Sequence, residues 1–212
     1  MTVLFEDGAL IVCVKPAGVL SEKSEKPNMV SMIEEHLGAE PFPVHRLDKE
    51  TGGVMVYAKT KQAAAQLSEQ IRQGSFQKRY LAVLCGTVED KSGELCDLLF
   101  RDRLKNKTFV VDRQRAGVKT AKLEYRIIDE KNGYSLADIL LHTGRTHQIR
   151  AQFSSRKHPL YGDRKYGGCA GDLALFAYRL SFTHPFTGKK LEFEHLPDFN
   201  IPPWNMFEYK KE

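Results

Sequence analysis

Long hydrophobic runs are absent from this chain of 212 residues. No apolar stretch approaches the roughly 20 residues that a helix needs to span a bilayer. Residues 1–7 carry an acidic pair where a signal peptide would carry basic residues. Apolar residues make up 42% and charged residues 28%, an ordinary balance for a globular protein. We therefore expect a single domain over residues 1–212, working in the cytoplasm as a monomer.

Cysteine is scarce, and its spacing argues against a zinc site or a disulfide framework because no C-x-x-C pair occurs. We expect the cysteines to be small buried hydrophobes in a reducing compartment. The sequence also contains no H-E-x-x-H pattern, P-loop or G-x-S-x-G elbow. No metal and no cofactor are predicted. The four cysteines are Cys13, Cys85, Cys96 and Cys169.

The densest chemical signal is the segment HRLDKETGG at residues 45–53. It places Arg46 and Asp48 two residues apart, so in an extended chain both face the same side. A carboxylate held in this way is a candidate nucleophile or base. The arginine beside it suits a polyanionic substrate. The apolar residues 54–57 that follow predict a strand.

A second dense segment, LHTGRTHQIR at residues 141–150, runs from a predicted strand through a glycine turn into a helix. We expect Thr143 or Thr146 to cap this helix, which would continue to about Ser154. The backbone N–H groups of such a helix start favour anions.

Arg145 and Arg150 are five residues apart, more than one helical turn, so they can serve different partners. We predict that Arg150 pairs with Asp48 and keeps that carboxylate ionised and aimed. A purely structural ion pair is the alternative, and the residues alone give it equal weight.

Lys78 and Tyr80 lie two apart on a predicted strand and therefore share a face. Tyr80 can stack on a base or relay a proton. Ordinary core packing is the competing interpretation, and tyrosine's frequency in strands favours it.

Basic residues are concentrated in two stretches. Residues 101–126 hold nine basic and three acidic side chains, and residues 143–168 hold six and one, although the whole chain has a net charge of only +5. This asymmetry indicates a phosphate-rich partner, while a solvated charged face is the alternative. The candidates for RNA-backbone contacts are Arg101, Arg103, Lys105 and Lys107.

The pattern of apolar alternation and turn residues predicts an α+β fold with a mixed, largely antiparallel central sheet and flanking helices. Helices are predicted over residues 31–37 and over 61–73, the second between a Thr60 cap and Gly74. The predicted strands are residues 3–5, 10–14, 54–57, 76–85, 94–100, 108–111, 120–128, 134–141, 173–182 and 190–194.

Three motifs in order give the chain a specific resemblance. HRLD-x-x-TG at residues 45–52, GRTHQIR at 144–150 and HPLYGD at 158–163 resemble the RluA-type pseudouridine synthases, and KP-x-G at 15–18 and K-x-Y at 78–80 fit the same pattern. The resemblance covers roughly residues 4–197. It implies the pseudouridine synthase fold with its catalytic cleft, and isomerisation of uridine in RNA without metal or cofactor.

The resemblance also implies roles for individual residues. Asp48 is the expected catalytic aspartate, Tyr80 the active-site tyrosine, Arg150 the ion-pair partner and Arg46 the holder of a flipped-out nucleotide. Extrusion of the base fits the chemistry, because the reacting bond is inaccessible in a stacked helix. Attack of Asp48 at C1′, attack at C6 and abstraction of the C2′ proton all stay open. The residues expected to bind the substrate are His45, Arg46, Thr51, Arg145, Thr146, His147 and Gln148.

The chain departs from the family pattern at a few positions. Gly53 stands where serine is usual, Ala151-Gln152 where valine-histidine is common, and Phe176 where a histidine is often found. These departures concern substrate detail rather than activity. We also expect no N-terminal S4-type RNA-binding module within the 212 residues.

Two other functions are compatible with the same residues. One is an RNA-binding protein or chaperone without catalysis, and the other is a nuclease that uses Asp48 with histidines and a metal. The sequence does not name the RNA. A β-ribbon within residues 101–126 is the expected clamp on a ribosomal or transfer RNA stem-loop, where unstacked bases are already exposed.

Overall fold

The computed structural model describes residues 1–24, 27–169 and 171–209. Two compact units make up the chain. The first unit comprises Met1–Lys78 and Phe176–Leu196, and the second comprises Arg79–Leu175 and the described part of residues 197–212. No helix in the described residues is long and apolar enough to cross a membrane.

The described secondary structure alternates long runs of strands with three α-helices. The strands are β1 (Thr2–Glu6), β2 (Leu10–Lys15), β3 (Phe42–Pro43), β4 (Gly52–Ala58), β5 (Gln77–Cys85), β6 (Ser92–Asp102), β7 (Lys107–Val111), β8 (Val118–Lys131), β9 (Tyr134–Leu141), β10 (Leu175–Thr183) and β11 (Lys190–Glu194). The helices are α1 (Met29–Leu37), α2 (Lys61–Gln73) and α3 (Gln148–Ser155), and a 3₁₀ turn covers Trp204–Met206.

Local capping explains the bounds of the first two helices. The hydroxyl of Thr60 accepts a 3.1 Å hydrogen bond from the backbone of Ala63, and Gly74 ends α2 in the left-handed conformation, as predicted. Helix α1 begins two residues earlier than predicted. The reason is that the side chain of Asn28 caps it, accepting a 2.8 Å bond from the backbone of Ser31.

The sheet of the first unit is mixed. Strands β1 and β2 form an antiparallel hairpin, whose turn is closed by Asp7 accepting hydrogen bonds from the backbones of Ala9 and Leu10. Strand β4 pairs antiparallel with β2 and parallel with β10. Strands β3 and β11 pair antiparallel with β4 and β10. Strand β4 is buried along its whole length, so it forms the centre of this unit's core.

The parallel contact between β4 and β10 requires glycine at Gly53. This residue has φ 131°, and a Cβ built on it would lie 2.3 Å from the carbonyl oxygen of Ala177. A side chain there would have to push the two backbones apart. Two of the departures from the family pattern lie at this contact between β4 and β10. Gly53 stands where serine is usual and is paired with Ala177, and Phe176 stands where histidine is often found and is paired with Gly52.

The second unit has an antiparallel sheet in the order β5, β9, β8, β6, β7. Helix α3 packs against β6 and β7. Its core contact joins Leu99 of β6, Ala121 of β8, Ala151 of α3 and Tyr166. Helix α3, which carries the end of the second sequence motif, thus packs against the two strands of the hairpin that contains the basic residues 101–107.

The cysteines occupy several environments. Cys13 is fully buried, as expected, whereas Cys96 is exposed, so the prediction of burial is wrong for that residue. Cys96 is exposed because it points outward from β6, between the buried Leu95 and the half-buried Asp97. Cys85 and Cys169 are half-buried, with their Sγ atoms 3.8 Å apart.

Candidate active site

Asp48 lies in the loop between β3 and β4. Leu47, at 5% exposure, is turned into the core, while Arg46 is exposed and Asp48 is half-buried. This alternation agrees with the prediction that Arg46 and Asp48 share a side. The backbone of Thr51 donates a 3.0 Å hydrogen bond to the carbonyl of Asp48 and closes the turn that leads into β4.

Ser21 fixes the backbone immediately before Asp48. Its hydroxyl accepts a 3.0 Å hydrogen bond from the amide of Leu47 and donates a 2.8 Å bond to the carbonyl of the same residue. The carbonyl of Ser21 in turn accepts a 2.8 Å bond from the hydroxyl of the buried Tyr57. Ser21 is not among the residues predicted from the sequence to belong to the site, and no pattern in the sequence signals this role.

Lys15 fixes the backbone immediately after Asp48. Its ammonium group is fully buried and donates hydrogen bonds to the carbonyls of Lys49, at 3.0 Å, and of Val19, at 2.6 Å. Burial lowers the pKa of Lys15 to about 8, and the negative charges of Glu50 and Asp48 oppose that shift. Because both neighbours of Asp48 are anchored, its carboxylate projects from a rigid backbone.

His45 is a neutral imidazole built into the first unit. The backbone of Val56 donates a 3.2 Å hydrogen bond to Nε2, which places the proton on Nδ1, and the ring packs edge-on against Phe76. Burial, assisted by the charge of Lys78, lowers the pKa of His45 to about 3. The contact with β4 gives His45 a place in the fold, and its contact with substrate stays a prediction.

Two polar atoms near Asp48 are buried without a hydrogen-bonding partner among the described residues. They are Nδ1 of His45 and the hydroxyl oxygen of Thr51. Leaving such a group without a partner costs about 1–3 kcal/mol. Both residues were predicted from the motif to bind substrate, and that role stays a prediction.

Arg46 is held at the surface by a weak partner. Its guanidinium forms a 2.7 Å salt bridge with Glu22, and both side chains are about half exposed. Exposed pairs of this kind contribute roughly 0–1 kcal/mol. A phosphate group can therefore displace Glu22 at little cost, which suits the predicted contact of Arg46 with RNA.

Arg150 forms a buried, bidentate ion pair in the second unit. Its Nε and one terminal nitrogen donate to the two carboxylate oxygens of Asp163 at 2.6 and 2.7 Å, with the two residues 7% and 1% exposed. The guanidinium lies 5.1 Å from the ring centre of Tyr166. Sequence reasoning missed the role of Asp163, although the residue closes the third motif. The predicted pairing of Arg150 with Asp48 joins residues of different units and stays a prediction.

The start of α3 differs from the prediction. The helix begins at Gln148, and His147 occupies the capping position with φ 51° and no side-chain cap. Thr143 is not the cap because its hydroxyl accepts a 2.9 Å bond from the backbone of Lys122 and donates a 2.7 Å bond to the side chain of Gln148. The predicted hydroxyl cap is therefore wrong. The hydroxyl of Thr143 bonds to the backbone of Lys122 in β8 instead of to a backbone N–H at the start of the helix.

The remaining predicted residues of this segment divide into structural and exposed groups. Gln148 is buried, and its amide accepts from the backbone of Arg145 and donates to the carbonyl of Lys122. Nδ1 of His147 is 3.0 Å from the hydroxyl of Tyr166. Arg145 is exposed, and its Nε donates a 3.0 Å bond to the carbonyl of Thr120. Arg145 also lines a surface cavity.

Tyr80 is a buried residue of β5, with 5% exposure, and it pairs with Ile139 on β9. Its neighbour Arg79 forms a bidentate salt bridge with Asp138, at 2.6 and 3.2 Å. These contacts fix the strand on which Tyr80 sits. Its action on the substrate stays a prediction.

Two histidines each contact a single carboxylate. His142 contacts Glu124 at 2.7 Å, and His184 contacts Asp7 at 2.7 Å. Across residues 1–24, 27–169 and 171–209, no three His, Cys, Asp or Glu side chains are grouped so that they could hold a metal ion.

Comparison with known families gives the class of the protein. The RNA pseudouridylate synthase family matches residues 9–155, more than half of the chain, so the chain belongs to this family. Its members are isomerases that convert uridine in RNA to pseudouridine. The resemblance of the sequence motifs to RluA-type enzymes is thereby confirmed.

Individual relatives extend this comparison. The ribosomal large subunit pseudouridine synthase D of Nitrosomonas europaea is 34% identical over 93% of this chain, which spans only 62% of that relative. The tRNA pseudouridine synthase C of Haemophilus ducreyi is 31% identical over 99% of this chain and 98% of its own length. The solved structure of human RNA pseudouridylate synthase domain containing 1 has a TM-score of 0.79 over 96% of this chain and 85% of that chain, at 21% identity. The predicted α+β fold is confirmed.

Proposed function

We propose that this chain isomerises specific uridines in structured ribosomal or transfer RNA, with Asp48 as the catalytic residue. The observation that carries the proposal is the anchoring of the backbone on both sides of Asp48, by Ser21 and by Lys15. A rigid mounting of this kind keeps a reactive group at a set position and lowers the entropic cost of reaching the transition state. Residues 1–212 act as one catalytic domain in this proposal.

The reaction exchanges one bond to the ribose for another. After the uridine is extruded from the stack, Asp48 adds to C1′ or C6, or removes the C2′ proton, and the bond between N1 and C1′ breaks. The base then rejoins C1′ through C5, C5 loses its proton and N1 gains one. Asp48 is regenerated in the same sequence, because its bond to C1′ or C6 breaks again or the proton that it took returns to C2′. Arg46, which is exposed two residues before Asp48, keeps the flipped-out nucleotide outside the base stack.

Tyr80 and Arg150 are the proposed partners of Asp48 in this reaction. Arg150 is presented by α3 with its guanidinium already locked by Asp163, so its direction does not depend on substrate. Tyr80 stacks on the base or assists removal of the C5 proton. No metal or cofactor takes part in this scheme.

The substrate-binding surface includes both basic stretches of the second unit. Arg145, Arg101 and Arg103 are exposed, and so is Lys105. Lys107 is half-buried, with its ammonium 4.8 Å from the ring centre of Tyr166. We propose that these side chains contact the RNA backbone, that the protein works as a monomer and that the cytoplasm is its location.

Tritium release from RNA carrying 5-tritiated uridine tests the proposal. Replacing Asp48 with Asn is expected to abolish release, whereas Glu35→Gln, which removes an exposed carboxylate of α1, leaves it unchanged. Bulk RNA from cells without this gene is the substrate. Normal turnover by the Asp48→Asn variant would overturn the assignment. RNA binding without any tritium release by the unaltered protein would instead support an RNA-binding protein without catalysis.

A further inference from the structure

We propose that a cavity beside the β6–β7 hairpin, here called the hairpin cavity, binds one nucleotide of the substrate RNA other than the uridine that is isomerised. This inference rests on the proposed function and deepens it. The hairpin cavity lies in the second unit and has a volume of about 700 Å³. Its walls are the end of β6, the hairpin turn and the turn at residues 144–146.

The charge of the hairpin cavity suits a phosphate. Four cations line it and all are exposed, whereas Asp102 is the one carboxylate among its lining residues. That carboxylate is already engaged, because it accepts a 3.0 Å hydrogen bond from the backbone of Lys105 in the hairpin turn. Cations that replace counterions on a phosphate backbone supply most of the affinity of RNA-binding proteins. The four cations are Arg101, Arg103, Lys119 and Arg145.

The apolar part of the lining suits a base. Phe100 and Leu104 both line the hairpin cavity. Leu104 is 100% exposed between two basic neighbours, so its side chain is open to contact by a ligand in the hairpin cavity. Phe100 has the guanidinium of Arg115 4.7 Å from its ring centre. Bases stack on aromatic rings and on arginine planes.

The size of the hairpin cavity points to a whole nucleotide. Pockets for small molecules measure roughly 300–1,000 Å³ and combine apolar walls with a few polar groups. The hairpin cavity falls in this range, while a phosphate alone would make no apolar contact with Phe100 or Leu104. A nucleotide supplies both an anion for the cations and a flat apolar face for these two side chains.

The hairpin cavity is coupled to Arg150 through short contacts within the second unit. Thr108, at the base of the hairpin, donates its backbone N–H to the hydroxyl of Tyr166 at 2.7 Å, and its own hydroxyl donates to the carbonyl of Thr146 at 2.8 Å. The ring of Tyr166 then faces the guanidinium of Arg150 at 5.1 Å. A nucleotide in the hairpin cavity is therefore held at a set distance from Arg150, so the cavity selects which uridines are presented.

The decisive experiment compares two double variants with equal loss of charge. Arg103→Gln with Lys119→Gln alters the hairpin cavity, and Lys131→Gln with Lys189→Gln removes two exposed cations outside it. We expect the cavity variant to raise KM for bulk RNA about tenfold with kcat unchanged. The slope of the logarithm of RNA affinity against the logarithm of salt concentration should become shallower by roughly 0.7–0.9 per charge removed. The control variant should change KM less than about twofold. Equal effects in the two variants would overturn the proposal.

Photo-crosslinking keeps this test independent of catalysis. The Asp48→Asn protein is irradiated with bulk RNA labelled with 4-thiouridine, and the crosslinked peptides are identified by mass spectrometry. Crosslinks within residues 99–104 are expected, and crosslinks only elsewhere in the chain would contradict the assignment. If no tritium is released by the unaltered protein, the proposed function fails while these crosslinks still report on the cavity.

An acidic polypeptide is the competing ligand for such a basic cavity. Polyglutamate serves as the probe, and it should compete with RNA equally well for the cavity variant and for the control variant. Polyglutamate binding that is lost only in the cavity variant, with RNA binding unchanged, would assign the cavity to a protein partner and overturn the proposal.

Discussion

The ammonium group of Lys15 donates a 3.0 Å hydrogen bond to the carbonyl of Lys49, the residue directly after Asp48. The amide of Gly18 donates to the same oxygen at 2.9 Å. Both donors come from the end of β2 and the turn that follows it, the segment that carries the KP-x-G pattern. One motif of the chain thus holds the backbone of another, and Asp48, the proposed catalytic residue, lies at their junction.

Loss of the Ser21 hydroxyl should impair catalysis more than binding. In Ser21→Ala the two hydrogen bonds to Leu47 are lost, and we expect kcat to fall about tenfold with little change in KM, because the position of Asp48 relaxes. The free energy of unfolding should fall by about 1–3 kcal/mol. Ser68→Ala, on the exposed face of α2, is the matched control. A kcat equal to that of the unaltered protein would show that Ser21 does not position Asp48.

Acid should destabilise the fold through His45. Its folded pKa is lowered to about 3, whereas the unfolded value is about 6.5. The unfolded state therefore binds a proton between these values that the folded state does not, so stability is complete above about pH 6.5 and falls as the pH is lowered.

Urea unfolding at pH 7 and pH 5 measures this contribution. Between those pH values the unaltered protein should lose about 2 kcal/mol more than a His45→Gln variant, which does not titrate there. Equal losses in the two proteins would mean that His45 is protonated at no cost in the folded state.

Breaking the Arg150–Asp163 pair from one side should be severely destabilising. Asp163→Asn removes the carboxylate charge that binds the buried guanidinium of Arg150 through two hydrogen bonds, and we expect a loss of about 3–5 kcal/mol in the free energy of unfolding. Glu192→Gln breaks the exposed pair with Arg179 and should cost less than about 1 kcal/mol. Urea denaturation measures both. A similar small loss in the two variants would show that water reaches Arg150.

Restoring the usual serine at position 53 should harm this chain. Gly53→Ser would place a Cβ 2.3 Å from the carbonyl of Ala177, in a backbone conformation with φ 131°. We expect a loss of at least about 2 kcal/mol, because both strain and separation of β4 from β10 are required. Gly8→Ser, where a Cβ meets nothing within 4 Å, is the control in the same thermal or urea assay. A stable Gly53→Ser protein would contradict the close contact.

Much of the fold followed from local patterns. The bounds of α2, β9 and β11 agree with the prediction, since they depend on capping residues, turn signals and alternation that lie within each segment. The short strand β3 was missed because two residues carry too little pattern. The start of α3 was placed too early because a threonine before a helix is equally able to bond to a neighbouring strand, and Thr143 does so.

The sequence by itself determined the class of chemistry, because its ordered motifs, which include Asp48, Tyr80 and Arg150, resemble those of one family. Only the tertiary structure decided what holds these residues. Ser21, Lys15 and Asp163 act on partners 26, 34 and 13 residues away. Contacts at such separations depend on how strands pair and loops fold back, and no local periodicity records them. For the same reason the hairpin cavity exists only once β6, β7 and the turn before α3 are assembled, since it is lined by residues 99–104, Thr108, Gly117, Lys119 and residues 144–146.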